Sequence, residues 1–298
     1  MEPSSLTGAA GRYFRRAQFE VWRSLEPRYP VAARGRALRV PGGVPNASRL
    51  PSAWRGNWKT QLMRLLLEGR NGAFLDVGAN TGQTLIDHFS IGTSTHYFGF
   101  EPNPACAAML DEIIRANDLA NYTIAPVALS NENGLAKLHL RRGKTADGSA
   151  SMIADLRPDR DLVAHYIPCF RLDDIAITLG LGEIPLIKID VEGAEAQALN
   201  GMRQTLRSAR PWITCEVLHR APQADPARHT TRLAALGEFL AKADYTLHRI
   251  VKPADDSALR GFERLDNFPD AMWTPANKHE CDYLFAPREE EVRLRDLA

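Results

Sequence analysis

From residue 73 onward, short apolar runs of strand length alternate with amphipathic runs of helix length, and this alternation limits the fold more than any other feature. The strand candidates are Ala73–Val77, Thr95–Phe100, Tyr122–Leu129, Ile184–Val191, Trp212–Leu218, Tyr245–Val251 and Asp282–Phe285. Helical patterns separate them at Thr81–Phe89, Pro104–Ala116, Ala194–Ser208 and Thr230–Ala243. Such alternation implies an α/β domain with a mostly parallel sheet and helices on both faces, joined by right-handed crossovers. Pro126 cannot donate to a ladder, so Tyr122–Leu129 is expected at a sheet edge or bulge. Leu135–Leu140 reads as a hairpin-like addition, and residues 143–163, polar and rich in Gly, Asp and Ser, as a long loop over the site.

The first 70 residues differ in character. They hold thirteen Arg and Lys against four Glu, a charge of +9, so the rest of the chain carries −8 of the +1 total. Tyr13–Leu25 suits a short helix, and Pro27, Pro30, Pro41, Gly42, Gly43 and Pro45 then interrupt the chain as in a linker or wrapping arm. Trp54–Glu68 is a second helical segment, closed by Gly69. Residues 1–52 are therefore read as a basic N-terminal extension and 53–298 as the main domain. The extension either contacts an anionic partner or packs on the acidic domain itself. No apolar run approaches the roughly 20 residues that span a bilayer, the N-terminus lacks an apolar signal core, and the four cysteines lie far apart. A soluble, cytoplasmic protein is expected.

Two constellations carry chemistry. The first strand runs into Asp76-Val-Gly78-Ala-Asn80-Thr-Gly82, and Glu101 ends the second. In open α/β sheets, ligands bind beyond the carboxyl ends of the strands, and an acidic residue about 20 positions on can accept hydrogen bonds from ribose hydroxyls. A dinucleotide loop wants G-x-G-x-x-G. Here Asn80 occupies the middle glycine position, which favours a ribose-bearing cofactor without phosphate, its amine near Asp76. The second constellation is Pro185-Leu-Ile-Lys-Ile-Asp-Val-Glu-Gly193. A strand covered on both faces is normally apolar, yet Lys188, Asp190 and Glu192 would share one face of this one. Glu216 lies near the end of the neighbouring strand and, less directly, His219 follows it. Burying such charges costs several kcal/mol, roughly, so their retention at strand ends points to use.

The pieces LDVGANTGQT (75–84), FEPNP (100–104), PVALS (126–130), RLDDI (171–175), IKIDVEGAEAQALNGM (187–202) and RPWITCEVL (210–218) resemble the FkbM-type methyltransferases, in the family's order. The resemblance implies a Rossmann-like methyltransferase fold with a seven-stranded sheet and S-adenosylmethionine as methyl donor. It also implies a hydroxyl acceptor on a sugar, glycolipid or other small metabolite. In the family's pattern Asp76, Gly78, Asn80 and Gly82 surround the methionine tail, Glu101 holds the ribose, and Val127, Ala128 and Leu129 lie near the adenine. Asp190 and Glu192 carry over as central-site residues, while residues 1–52 have no counterpart in the family's core.

A hydroxyl is a poor nucleophile until a base takes its proton, a contribution of about 10²–10⁴-fold. Asp190 is the first candidate base, with Glu192, Glu216 and His219 as alternates. Lys188 would steady a carboxylate or a developing alkoxide. Mg²⁺ held by Asp190, Glu192 and Glu216 is a second arrangement the sequence leaves open. Two rival classes remain: an NAD-linked oxidoreductase, which lacks its third glycine here, and a non-catalytic nucleotide- or RNA-associated protein, which leaves the Lys188, Asp190 and Glu192 charges unexplained.

Overall fold

A computed structural model describes residues 29–33, 36–40 and 57–297. The helix expected at Tyr13–Leu25 lies outside these residues. Within the basic extension, β1 (Tyr29–Ala33) and β2 (Arg36–Val40) form an antiparallel hairpin. Helix α1 (Trp58–Leu67) starts four residues later than its apolar pattern suggests, because the Asn57 side chain accepts the Thr60 N–H at 2.8 Å and caps it. The regular alternation then runs β3 (Ala73–Val77), α2 (Gln83–Ile91), β4 (His96–Phe100), α3 (Pro104–Ala116) and β5 (Tyr122–Ala125). Pro126 ends β5, and residues Ala128–Leu129 leave for a separate small sheet as β6.

That small sheet has the order β6-β8-β7, with β7 at Gly134–Arg141 and β8 at Leu162–Phe170. The sequence reading missed β8, whose strand signal is interrupted by Pro168 and whose first half is largely exposed. A short helix α4 (Leu172–Ile175) follows, then β9 (Leu186–Ile189). The single helix expected over Ala194–Ser208 is two, α5 (Glu195–Asn200) and α6 (Arg203–Ala209). The break falls at Gly201, where a Cβ would overlap the carbonyl oxygen of Ser130 in the PVALS segment. The Asp173 carboxylate, in RLDDI, accepts the N–H groups of Gln204 and Thr205 at 3.0 and 2.9 Å and caps α6. The chain continues through β10 (Trp212–Glu216), α7 (Pro226–Ala243), β11 (Tyr245–Val251), β12 (Gly261–Leu265), β13 (Asp282–Pro287) and α8 (Glu291–Leu297).

The main sheet has the order β12-β11-β13-β10-β9-β3-β4-β5. It holds eight strands rather than seven, the addition being β12 at the far edge, where Tyr122–Ala125 holds the other edge as Pro126 predicts. Pairings from β10 across β9, β3 and β4 to β5 are parallel, while β13 runs antiparallel to both neighbours and β12 to β11. The architecture is a Rossmann-like α/β fold with a mixed sheet. One apolar layer packs α1, α2 and α3 on Phe74 and Tyr97, and the other packs α5, α6 and α7 on Leu75, Ile187 and Ile213. Leu38 and Val40 of the hairpin are buried in the first layer. Arg39 exchanges main-chain hydrogen bonds of 2.6 and 2.8 Å with the Asn117 amide at the end of α3. Among the described residues no helix is long and apolar enough to cross a membrane, and all four cysteines are buried and free.

Candidate functional site

The chain reverses direction in strand order beside β3, and there a cavity of about 730 Å³ opens beyond the carboxyl ends of β3, β4 and β9. It falls in the roughly 300–1,000 Å³ range of small-molecule sites. Its floor is the turn after β3. Gly78 has φ +82°, and a Cβ there would collide with the Asp190 carbonyl oxygen. Asn80 is also left-handed, at φ +48°, a conformation Asn tolerates better than most residues. This explains how Asn80 replaces a glycine without opening the loop. Gly82, at φ +97°, lies off the cavity, and a side chain there would press on Leu110 and Ile113 of α3. Its role is close helix packing.

Glu101 enters from the end of β4. Its two carboxylate oxygens accept the N–H of Asn80 at 2.7 Å and of Asn103 at 2.8 Å, so the carboxylate is turned toward the glycine loop. Burial, opposed by these two N–H groups, raises its pKa to about 7. Val127, Ala128 and Leu129 line the same cavity with Leu138 and Met152. Asp76 does not. It is fully buried beneath the loop, where one oxygen accepts the Tyr97 hydroxyl and the other faces Lys188 Nζ at 3.0 Å. The expectation that Asp76 receives a cofactor amine is corrected on this point: its carboxylate is already used in holding Lys188.

Lys188 registers beside Asp76 in the sheet, donates to the Gly78 carbonyl oxygen at 2.8 Å and lies 3.5 Å from Asp190. Burial works against its ammonium, but Asp76 and Asp190 outweigh it and raise the pKa. Strand β9 ends at Ile189, so Lys188, Asp190 and Glu192 do not share a strand face as alternation suggested. Glu192 reaches the cavity through a turn in which it adopts φ +53° and Gly193 φ +100°. A left-handed conformation at a glutamate costs about 1–2 kcal/mol, and such strain concentrates at functional positions.

Carboxylate oxygens of Asp190, Glu192 and Glu216 all lie within 4.8 Å of one another. Their electrostatics differ. Burial opposes ionisation of Asp190, yet Lys188 and Lys59 hold it below the usual carboxylate range. The Asp190 charge and burial together push its hydrogen-bonded neighbour Glu216 well upward, so Glu216 carries the proton of the pair. Burial raises Glu192 to about 7 against the pull of Arg157, whose guanidinium pairs with it at 2.5 Å. Glu216 faces a separate void of about 30 Å³ behind the cavity, with Lys59, Asp190 and Asp282. His219 faces neither space. It lies three residues past β10, buried beside Asn277, and burial lowers its pKa.

The segment joining β7 to β8 covers the cavity, as expected of residues 143–163. Thr145 accepts the Asn103 amide at 2.8 Å, and Gly148 abuts Asn80 so closely that a Cβ would lie 2.8 Å from its Nδ2. The Ser151 hydroxyl donates to the Glu192 carbonyl oxygen at 2.5 Å. Met152 faces the cavity, whereas Ser149 is taken up by Asp147 and Arg160. Sequence reasoning missed further lining groups: Asn57 and Lys59 from α1, Asp87 from α2, and Asp255–Ser257 between β11 and β12. Asp87 stands one turn after Gln83 on the helix, a spacing that offered a signal. Burial raises it to about 7, opposed by Lys59 and Asn57.

Residues 76–247 match the Methyltransferase FkbM domain. The chain is 30% identical over 158 residues to the 2-O-methyltransferase NoeI of Sinorhizobium fredii (strain NBRC 101917 / NGR234), an alignment covering 49% of this chain and 63% of that protein. Among solved structures, methyltransferase FkbM from Methylobacillus flagellatus KT is similar at 17% identity and a TM-score of 0.44, covering 72% of this chain and 43% of its own. Cofactor-bound Rv0187 from MTB is similar at 12% identity and a TM-score of 0.42, over 96% and 93%. The chain thus spans less than two thirds of NoeI and of the Methylobacillus protein. Since the domain match runs from Asp76 beneath the glycine turn to Leu247 in β11, over more than half of the sequence, the chain belongs to the FkbM methyltransferase family.

Proposed function

We propose that the protein is an S-adenosylmethionine-dependent methyltransferase acting on a hydroxyl group of a small-molecule or glycan acceptor. The observation that carries this reading is the Glu101 carboxylate, fixed by two main-chain N–H groups at the rim of an open cavity whose other walls suit the rest of the cofactor. Glu101 would take the ribose hydroxyls, and Val127–Leu129 with Leu138 and Met152 would enclose the adenine. Gly78, Ala79 and Asn80 leave room for the methionine tail. The start of α2, at Gln83 and Thr84, presents N–H groups and a positive dipole end to its carboxylate. Bound S-adenosylmethionine supplies a methyl carbon made electrophilic by its sulfonium.

The chain's own residues supply alignment and proton transfer. Holding donor and acceptor in line is worth about 7–11 kcal/mol. A base works best with a pKa near the operating pH. Glu192, at about 7, meets that condition, whereas Asp190 is kept ionised and weakly basic by two lysines. We therefore assign proton removal to Glu192, and to Asp190, with Lys188 behind it, a fixed negative charge facing the sulfonium. Glu216 supports Asp190 from the adjoining void, and His219 has no part. The spacing of Asp190, Glu192 and Glu216 favours a second reading with Mg²⁺. Against it, such an ion would compete with the Lys188–Asp190 and Arg157–Glu192 pairs. A chelator that abolishes turnover would establish the metal route.

The cofactor is tested by melting. At 100 times its dissociation constant a ligand stabilises by about 2.7 kcal/mol, several degrees in Tm for a domain of this size. S-adenosylhomocysteine and S-adenosylmethionine are expected to raise Tm and NAD to leave it unchanged. Folded protein that responds to neither sulfur ligand refutes the reading.

A further inference from the structure

The amino-acid end of S-adenosylmethionine carries an ammonium and a carboxylate, and the cavity wall must answer both. The acceptors beneath the glycine turn are already engaged, since Lys188 Nζ holds the Gly78 carbonyl oxygen at 2.8 Å and the Asp76 carboxylate at 3.0 Å. Most carboxylates of the wall are engaged as well. Asp147 pairs with Arg141, Glu192 with Arg157, Asp190 with Lys188 and Asp256 with Lys252. Glu101 is assigned to the ribose. Asp255 is exposed, and its carboxylate accepts the Ser257 N–H at 3.1 Å. Asp87 remains: it is buried, lines the cavity and forms no ion pair among the described residues.

Asp87 and Thr84 lie three apart on α2 and share its cavity face. Helical side chains lean toward the helix N-terminus, which brings the Asp87 carboxylate back toward the first turn. The Asn57 side chain holds it there. Its Oδ1 accepts the Thr60 N–H at 2.8 Å, leaving its amide N–H groups to donate to Asp87. Lys59, two residues on, is the counterpart. It lines the same wall and forms no ion pair among the described residues, whereas Lys188, the other lining lysine, is taken up by Asp76 and Asp190. Burial opposes the Lys59 ammonium, yet Asp282, Asp190, Glu216 and Asp87 together raise its pKa. Of these, Asp282 has Lys252 at 2.7 Å and Asp190 has Lys188 at 3.5 Å. The α1 start that carries Asn57 and Lys59 precedes the family match and is anchored in place. The Trp58 N–H donates to the Asp256 carbonyl oxygen at 3.3 Å, and Lys252 lies 4.4 Å from the centre of the Trp58 ring. A buried charge is costly until it is paired. Two opposite charges on one wall, neither matched at ion-pair distance, are the complement of a zwitterion.

Resting on the methyltransferase reading, we propose that Asp87 and Lys59 clasp the amino-acid end of S-adenosylmethionine. Asp87 accepts from its ammonium, and Lys59 joins the α2 N–H groups at its carboxylate. Calorimetry on the full-length chain compares three ligands at about pH 8.5, where Asp87 and Glu101, both raised to about 7 by burial, are ionised. S-adenosylhomocysteine carries both charges of the amino-acid end, decarboxylated S-adenosylmethionine only the ammonium, and 5′-methylthioadenosine neither. The unaltered chain is expected to bind S-adenosylhomocysteine tighter than 5′-methylthioadenosine by about tenfold or more. Asp87→Asn weakens both ammonium-bearing ligands by about tenfold. Lys59→Met weakens S-adenosylhomocysteine alone, and neither substitution alters the affinity for 5′-methylthioadenosine. A residue that served only the packing of α1 or α2 would change all three alike. Equal binding of S-adenosylhomocysteine and 5′-methylthioadenosine by the unaltered chain overturns the proposal without recourse to a variant. An Asp87→Asn or Lys59→Met chain that keeps its affinity for S-adenosylhomocysteine, or loses 5′-methylthioadenosine to the same extent, overturns it too. An unaltered chain that binds none of the three ends the cofactor reading, and this proposal with it.

Discussion

Glu101 and Glu192 share a pKa of about 7 for the same first reason, burial, but different consequences follow. In the free protein much of Glu101 is protonated below neutrality. If Glu101 takes the ribose hydroxyls as proposed, their donation would favour the ionised form, so binding would lower its pKa and release a proton. The affinity for S-adenosylhomocysteine should therefore rise with pH, by up to about tenfold per unit below pH 7, and level off above it. Calorimetry across that range checks this, and Glu101→Gln should flatten the profile and weaken binding. With Glu192 as the proposed base the ionised form would be the active one, so turnover should climb through about pH 7. Glu192→Gln should lower turnover by roughly 10²–10⁴-fold with little change in cofactor affinity. A larger loss from Asp190→Asn than from Glu192→Gln would return the base to Asp190. The sequence alone brought Asp190 and Glu192 to attention through charges in an apolar strand. It put Asp190 first, and the reversed order proposed above depends on Lys59 and Arg157, which arrive from distant segments.

At the level of elements, the motifs that mark the family turn out to hold helices and turns together. Asp173 accepts two N–H groups of the first turn of α6, so Asp173→Ala should cost about 0.5–2 kcal/mol in a urea melt while sparing cofactor affinity. Gly201 admits the Ser130 carbonyl where α5 gives way to α6, which is why a continuous helical pattern did not yield a continuous helix. The parallel strands and their crossover helices were legible because β3, β4, β9 and β10 are short apolar runs with clear breaks. Strands β8 and β12 were not: each has an exposed face and polar residues, and β8 contains Pro168. The covering segment between β7 and β8 was legible only as polarity. Its anchors, Gly148 on Asn80 and Ser151 on Glu192, are contacts between residues far apart in the chain.

For the molecule as a whole, the β1–β2 hairpin makes part of the basic extension a structural member rather than a free tail. Leu38 is almost fully buried beside α3, so Leu38→Ala should destabilise the protein by about 2–5 kcal/mol in denaturant without changing cofactor affinity once folded. Composition showed the excess of arginine here but gave no sign of the hairpin, since the two apolar side chains that anchor it sit among prolines and charges. The order of the main sheet has a further consequence for synthesis. Strand β13 lies between β10 and β11 yet follows both in sequence. Until residues 282–287 emerge from the ribosome, two strand edges stay open, and Asp282 has not yet reached Lys252 and Glu216. The nascent chain must keep those edges from pairing elsewhere while it waits for its last central strand.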